Sequence, residues 1–247
     1  MKLSVVIITH NEEINIRRCL ESVSFADEII IVDSFSRDTT VKLAAKYTSN
    51  IFKREWEGFS KQKNFGINKA RNDWVLSLDA DEVLSEELKQ EINSLERPGC
   101  EGFYIKRKPY FMGRFIKHSG WYPDWQLRLF KKNSGKFDEN RLVHEGILLK
   151  GRKCFLKHEL LHFPYRNIGG YFEQFNKYTS LAAQQYIREG RKFTKAKLIL
   201  NPPVTFLKHY FLKRGYRDGF AGFCISVLSS TYNFVKYAKL WELTGRK

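Results

Sequence analysis

Two aspartates stand two residues apart in LSLDADE (76–82), directly after the apolar run Trp74-Val75-Leu76-Ser77-Leu78. On an extended strand, residues two apart share a face, so Asp79 and Asp81 would present their carboxylates together. Close carboxylates repel and need a shared proton or a cation between them. Mg²⁺ or Mn²⁺ suits such an oxygen pair, with water and substrate phosphates filling the remaining positions. The alternative is a pair of solvated acids at a helix start, where the helix dipole favours them. Two further apolar runs also end in polar residues: LSVVII (3–8) in Thr9-His10-Asn11-Glu12, and EIIIVD (28–33) in Asp33-Ser34.

Positioning these groups is the task of the surrounding elements. The runs 3–8, 28–33, 50–53 and 73–79 read as strands. The segments 12–24, 38–47, 59–72 and 84–96 between and after them read as helices, with Asn11, Asp38 and Ser85 as N-caps. Four β-α repeats with apolar strands imply a parallel sheet covered by helices. In such sheets ligands bind beyond the carboxyl ends of the strands, where the polar turns would converge. Residues 102–107 and 125–131 read as strands of a more antiparallel region around the aromatic loop 109–124. Helical spacing from Ile168 to Tyr186 predicts an amphipathic helix over 168–189. Pro202-Pro203 marks a break. The uncharged stretch 219–235 reads as an interfacial or core helix, because serines, Asn233 and glycines dilute it below a membrane span.

Charge divides the chain unevenly. Residues 1–149 hold 24 Lys/Arg against 22 Asp/Glu, whereas 150–247 hold 19 against 5. The second half therefore faces an anionic partner, nucleic acid or an acidic membrane. Cys19, Cys100, Cys154 and Cys224 form no CxxC pair and read as reduced thiols of a cytosolic protein without a zinc site. The start, MKLSVVIITHNEE, reads as a first strand rather than a signal peptide.

The first βα turn, THNEE, lacks the glycines of a dinucleotide-binding turn, and no GxxxxGK loop occurs. Diphosphate charge would instead be met by a metal on Asp81, helped by Lys or Arg. The ordered set SVVIITHNEE, EIIIVDSFSRDTT, KQKNFGINKA and WVLSLDADEVL resembles family 2 of the inverting glycosyltransferases over roughly the first hundred residues. That resemblance implies an α/β, GT-A type, nucleotide-sugar-binding Rossmann-like fold with a mostly parallel central sheet and a helical C-terminal extension. Residues 1–100 would form the nucleotide-sugar-binding half, 101–165 the acceptor-side half, and 166–247 a basic, aromatic extension. Thr9 and Glu12, with Asn11 in the same turn, would line the nucleotide pocket, and Asp33 would accept a hydrogen bond from the base. Lys63 and Asn64 stand where the family often has Arg-Asn near the base. Asp79 would reach the ribose or the metal, and Asp81 would hold the metal.

The segments GWYPDWQLRLFKK (120–132), LVHEGI (142–147) and 216–242 resemble the glucosyltransferases of lipopolysaccharide inner-core synthesis. Inverting transfer needs a base for the acceptor hydroxyl, and Asp124 in the aromatic loop is the candidate. A turn-forming Pro123-Asp124 pair is the alternative. His144, next to Glu145, either completes the metal shell, holds the leaving diphosphate or is structural. Arg128 either clamps phosphate or is a solvated strand residue. Trp121, Tyr122 and Trp125 suit sugar stacking or plain packing. The expected donor is a UDP-sugar, the acceptor a glycan or glycolipid, and the location the inner face of the plasma membrane, peripheral and cytoplasmic. Nucleic acid is not an expected partner, since no RNP, zinc-knuckle or KH-like signature occurs. One rival is a haloacid-dehalogenase type phosphohydrolase with Asp79 as nucleophile. Its DxD closes the first strand, whereas here the motif closes the fourth.

Overall fold

Leu3–Thr9 is buried along its whole length and forms β1, as an apolar β-branched run should when both faces are covered. In this computed structural model, which describes residues 1–96, 99–139 and 146–245, β1 lies between two parallel neighbours, β2 (Glu28–Asp33) and β4 (Trp74–Asp79). The short β3 (Ile51–Lys53) continues the parallel part beyond β2. Register aligns Thr9 with Asp33 and Ile8 with Asp79, so three polar strand ends share one edge. After β4 the chain turns at once into β5 (Glu82–Leu84). The other half of the sheet comes from β6 (Gly102–Phe111), β8 (Asp124–Lys131) and β11 (Lys153–His162), with β8 antiparallel to both β4 and β6. The order is β3-β2-β1-β4-β8-β6-β11-β5, a mixed sheet whose first four strands are parallel. A two-residue β7 (Arg114–Phe115) pairs with β6, and β9 (Gly135–Phe137) pairs with β10 (Ile147–Leu149) as a separate ribbon.

Helices α1 (Ile16–Ser22), α2 (Thr40–Ala44), α3 (Phe59–Lys69) and α4 (Glu86–Asn93) follow β1, β2, β3 and β5. Ser85 caps α4 by accepting from the Leu88 amide at 3.2 Å. Helix α3 lies so close to the sheet that a Cβ on Gly66 would overlap the Val6 side chain. Glycine is what the contact allows there.

Asn11 does not cap a helix. Its φ is 56°, and α1 starts only at Ile16. The amides of Asn11, Glu12 and Glu13 are instead taken by Ser36 Oγ, Thr40 Oγ1 and Asp38 Oδ2. Tertiary acceptors thus replace a helical first turn, and the 10–15 loop is tied to the loop after β2.

Two compact units arise from this chain. Met1–Arg107 and Asp124–Phe163 make the sheet unit; Lys108–Pro123 and the chain from Pro164 make the helical unit. In the helical unit, α5 (Ile168–Arg188) matches the spacing argument and is capped by Asn167, which accepts from the Gly170 amide. Helix α6 (Lys195–Leu207) runs through Pro202-Pro203, so the expected break is absent. Packing on α7 (Gly219–Gly245) overrides the proline cost: Ser230 Oγ donates to Pro202 O, Asn233 Nδ2 donates to Thr205 Oγ1, and Phe206 meets Phe223 edge-on. A π-turn (Lys208–Leu212) and a 3₁₀ turn (Gly215–Asp218) link α6 to α7. Among the described residues no helix is long and apolar enough to cross a membrane.

The expectation of four reduced thiols is corrected for two of them. Cys100 and Cys154 form a disulfide, with Cα atoms 6.1 Å apart. The Glu101 amide donates to Arg152 O at 2.7 Å and brings the two segments together. Cysteine usage therefore no longer argues for a reducing compartment.

Candidate active site

Strand β4 ends at Asp79, so the alternation that would put Asp79 and Asp81 on one face stops between them. Asp79 turns to cations: its Oδ1 lies 2.9 Å from Lys63 Nζ and its Oδ2 2.8 Å from Arg128 Nη2. Burial opposes ionisation of this carboxyl, but Lys63 and Arg128 prevail and hold it far below the usual carboxylate range. Asp81 faces other groups. Its Oδ2 is 3.3 Å from His162 Nε2, at the end of β11. Its Oδ1 is buried and has no hydrogen-bond partner among the described residues. Burial again pushes up, yet His162 keeps the Asp81 carboxyl below its ordinary value against the repulsion of Asp79. Arg18 on α1 feels the charge of Asp81 and Glu12; burial still leaves it below its ordinary value. Its guanidinium sits 3.6 Å over the Phe163 ring.

Glu82 begins β5 with no solvent exposure. Its Oε1 accepts from Arg128 Nη2 at 2.6 Å and Arg107 Nη1 at 3.2 Å, and its Oε2 accepts from the Asp79 amide at 3.0 Å. Arg107 on β6 also grips Asp124, with Nε at 2.9 Å and Nη2 at 2.7 Å from Oδ2. Gln126 Nε2 donates to Asp124 Oδ1 at 2.7 Å. The result is a chain of alternating charge, Lys63–Asp79–Arg128–Glu82–Arg107–Asp124. Burial lowers the Arg107 guanidinium, Glu82 raises it, Arg128 lowers it and Asp124 raises it; the net is above its ordinary value. Arg128 is thus neither solvated nor turned outward: it is buried between Asp79 and Glu82.

The donor-side candidates divide. Thr9 and Asp33 sit side by side at the carboxyl edge of β1 and β2, and Thr9 Oγ1 is buried without a hydrogen-bond partner among the described residues. Asp33 accepts from the Ser36 amide at 2.9 Å and from Ser36 Oγ. Asn11 Oδ1 accepts from the Arg37 amide at 2.8 Å, and Glu12 Oε2 accepts from Asn15 Nδ2 at 2.6 Å. Lys63 is 2% exposed and reaches the acidic turn. Asn64 does not reach it: its side chain bonds both Phe137 backbone groups, at 2.8 and 3.0 Å, and holds β9. Trp121 packs against Phe111, with centroids 5.3 Å apart, inside the helical unit. Trp125 meets Phe155 edge-on at 5.0 Å. His144 lies outside the described residues.

His162, Arg107, Arg18 and Gln62 were not singled out from sequence, and Glu82 stood out only as the last residue of the acidic run LSLDADE. Gln62 is fully buried and ties α3 to Ser34 Oγ, Arg54 O and Glu55 O. A signal existed for His162: KCFLKHELLH (153–162) ends in a polar residue, as β1, β2 and β4 do. The others are charged or amide residues inside elements, where only partners identify a role.

The mixed sheet with its parallel half, antiparallel half and covering helices is the architecture of GT-A glycosyltransferases. Two solved structures share it over the whole of this chain. One is the mannosyltransferase PcManGT from Pyrobaculum calidifontis in complex with GDP-Man and Mn²⁺, with TM-score 0.56, 14% identity and 88% of that chain covered. The other is S. aureus TarS 1–349 in complex with UDP-GlcNAc, with TM-score 0.50, 17% identity and 92% covered. Residues 4–156 match the family described as Glycosyl transferase family 2, and the chain belongs to that family. It is a glycosyltransferase. It is 32% identical over 250 residues to the lipopolysaccharide core biosynthesis glycosyltransferase LpsC of Rhizobium meliloti, covering 98% of this chain and 93% of that one. An uncharacterized glycosyltransferase of Rickettsia typhi is 32% identical over 256 residues, covering 98% and 88%. Membership in this family displaces the phosphohydrolase and nucleic-acid-binding alternatives.

Proposed function

We propose that the protein is an inverting, metal-dependent hexosyltransferase that moves glucose from a UDP-sugar to a hydroxyl of a lipid-linked glycan of the lipopolysaccharide core. The substrate class rests on the similarity to LpsC along nearly the whole chain. The observation that carries the site is the buried, unpartnered Asp81 Oδ1 beside His162. Among the described residues no three His, Cys, Asp or Glu side chains form a ready ligand group. A carboxylate with one imidazole still fits Mg²⁺ or Mn²⁺, ions that take water and substrate phosphate at their other positions. Asp81 and His162 would hold the ion, while Asp79 stays with Lys63 and Arg128. When bound, the ion neutralises charge on the departing diphosphate.

The chain's own groups supply the rest. Thr9, Asn11, Glu12 and Asp33 face the nucleoside, Asp33 as acceptor for the base. Lys63 and Arg128 put positive charge where the diphosphate leaves, and Arg107 holds the Asp124 carboxylate in position. Asp124 removes the acceptor hydroxyl proton as the sugar carbon is attacked, a step worth about 10²–10⁴-fold in rate. Each carboxylate oxygen has two acceptor directions, so Asp124 can take that proton while still held by Arg107 and Gln126. The enzyme would act as a peripheral protein on the cytoplasmic face of the plasma membrane, where the basic second half meets anionic lipid.

Donor binding is tested by thermal unfolding with a panel of nucleotide-sugars and Mn²⁺ or Mg²⁺. UDP-glucose with metal should raise Tm, and Asp81→Ala should remove the rise. No shift with any nucleotide-sugar would overturn the reading. Asp124→Asn should keep donor binding and lose transfer; near wild-type transfer would refute the base assignment.

A further inference from the structure

Helix α6 has thirteen residues and buries none of them; the five-residue π-turn after it buries none either. Helices of water-soluble proteins normally bury their apolar stripe. Here Leu200, Val204, Leu207 and Phe211, spaced four, three and four apart, form one such stripe, and all four are exposed. Leu212, 79% exposed, and Phe220, 72% exposed, extend the apolar surface past the turn. The opposite side of α6 is the side that meets α7, through Pro202 O, Thr205 and Phe206.

Exposed charge along α6 and the turns that follow it has one sign, whereas Arg191, just before the helix, pairs with Glu189. From Lys192 to Arg217 the chain carries seven Lys or Arg, all exposed. No Asp or Glu lies in that span, and the next residue, Asp218, is buried. Asp218 accepts from the Lys117 and His118 amides, at 3.2 and 2.9 Å, and from Ser119 Oγ at 3.1 Å. His209 Nδ1 donates to Ser119 O at 2.7 Å, and the Ser119 amide donates to Lys213 O at 2.9 Å. The turn bearing Phe211 and Leu212 is therefore pinned on both sides, so its apolar groups face outward on a fixed backbone.

We propose that α6 and the 208–214 turn form an in-plane membrane-docking element, with the apolar stripe in the acyl boundary of an anionic leaflet and the basic residues among its headgroups. This deepens the membrane reading given above by assigning the docking element. An apolar face bordered by Lys and Arg, on a helix too short to span, is the pattern of interfacial helices. A second copy of this chain is the competing occupant, but it would bring the same positive charges face to face.

The test is co-sedimentation of the full chain with phosphatidylcholine vesicles, with and without phosphatidylglycerol. Wild type should bind the anionic vesicles and leave the neutral ones. F211S/L212S should weaken binding at least about tenfold, through lost apolar burial. K208A/R214A should weaken it about thirtyfold, at about a factor of five per basic residue. All of these side chains are exposed, and the donor-induced Tm rise in each variant reports an intact fold and donor site. Equal binding to both vesicle types, no binding to either, or unchanged binding by F211S/L212S would each overturn the proposal. So would a dimer in solution that F211S/L212S dissolves while vesicles are ignored. None of these outcomes bears on donor binding, which the nucleotide-sugar panel reads separately.

Discussion

Replacing Glu82 by glutamine keeps the side-chain volume and removes one negative charge from a site with no solvent exposure. Arg128, 2.6 Å away, is then left with Asp79, and Arg107, at 3.2 Å, with Asp124. Removing one partner of a buried ion pair costs about 3–5 kcal/mol, because the charge left behind stays buried with less compensation; here two guanidiniums share that loss, each keeping a single carboxylate. For a chain of this size each kcal/mol moves Tm by about 2–4 °C, so Glu82→Gln should lower it by about 6–20 °C. Glu57→Gln is the control: Glu57 is exposed, pairs with Arg54 and Lys61, and its loss should leave Tm unmoved. The assay is thermal unfolding followed by circular dichroism, with Arg107→Gln and the double variant completing a cycle. A shift of less than about 2 °C in Glu82→Gln, or strict additivity in the cycle, would refute the idea that Glu82 balances the two arginines.

Acid sensitivity follows from Asp79, whose folded carboxyl lies below its unfolded value of about 3.9. Its ionised form therefore stabilises the fold above that value, and the contribution fades as pH falls further. Asp79→Asn should be less stable than wild type at pH 7, with the gap in urea midpoint narrowing below about pH 4. Gly66→Ala should cost about 1–3 kcal/mol by forcing α3 away from Val6; an unchanged urea midpoint would contradict the close approach. The Cys100–Cys154 link closes a loop with a sequence separation of 54, for which chain entropy gives up to about 4 kcal/mol. Reductant should lower Tm, and thiol titration of the unfolded, unreduced chain should find two free cysteines rather than four.

The parallel half of the sheet was legible because buried parallel strands are written as unbroken apolar runs, and 3–8, 28–33 and 73–79 are such runs. The polar strand ends Thr9, Asp33 and Asp79 came with them. What periodicity could not supply was partnership. Arg128 lies 49 residues from Asp79, and Arg107 lies 25 from Glu82; no local pattern links either pair. The same holds for His162 and Asp81, and for Cys100 and Cys154. Asn64 shows the converse: adjacent to Lys63 in sequence, it points to β9, because a helix turns successive side chains about 100° apart. At Pro202-Pro203 and at Asn11 local preference was overruled by tertiary hydrogen bonds.

The charge chain from Lys63 to Asp124 draws on α3, β4, β8, β5 and β6, which leave the ribosome in a different order from the one in which they pair. When β4 emerges, Lys63 has already been made and can meet Asp79, but Arg107 and Arg128 have not. Until they arrive, Asp79 lacks one of its two cations and Glu82 lacks both. Completion of this charge chain therefore waits for β8: a chain truncated before it would keep Lys63 for Asp79 and Arg107 for Glu82 but lack Arg128, the cation that joins the two acids.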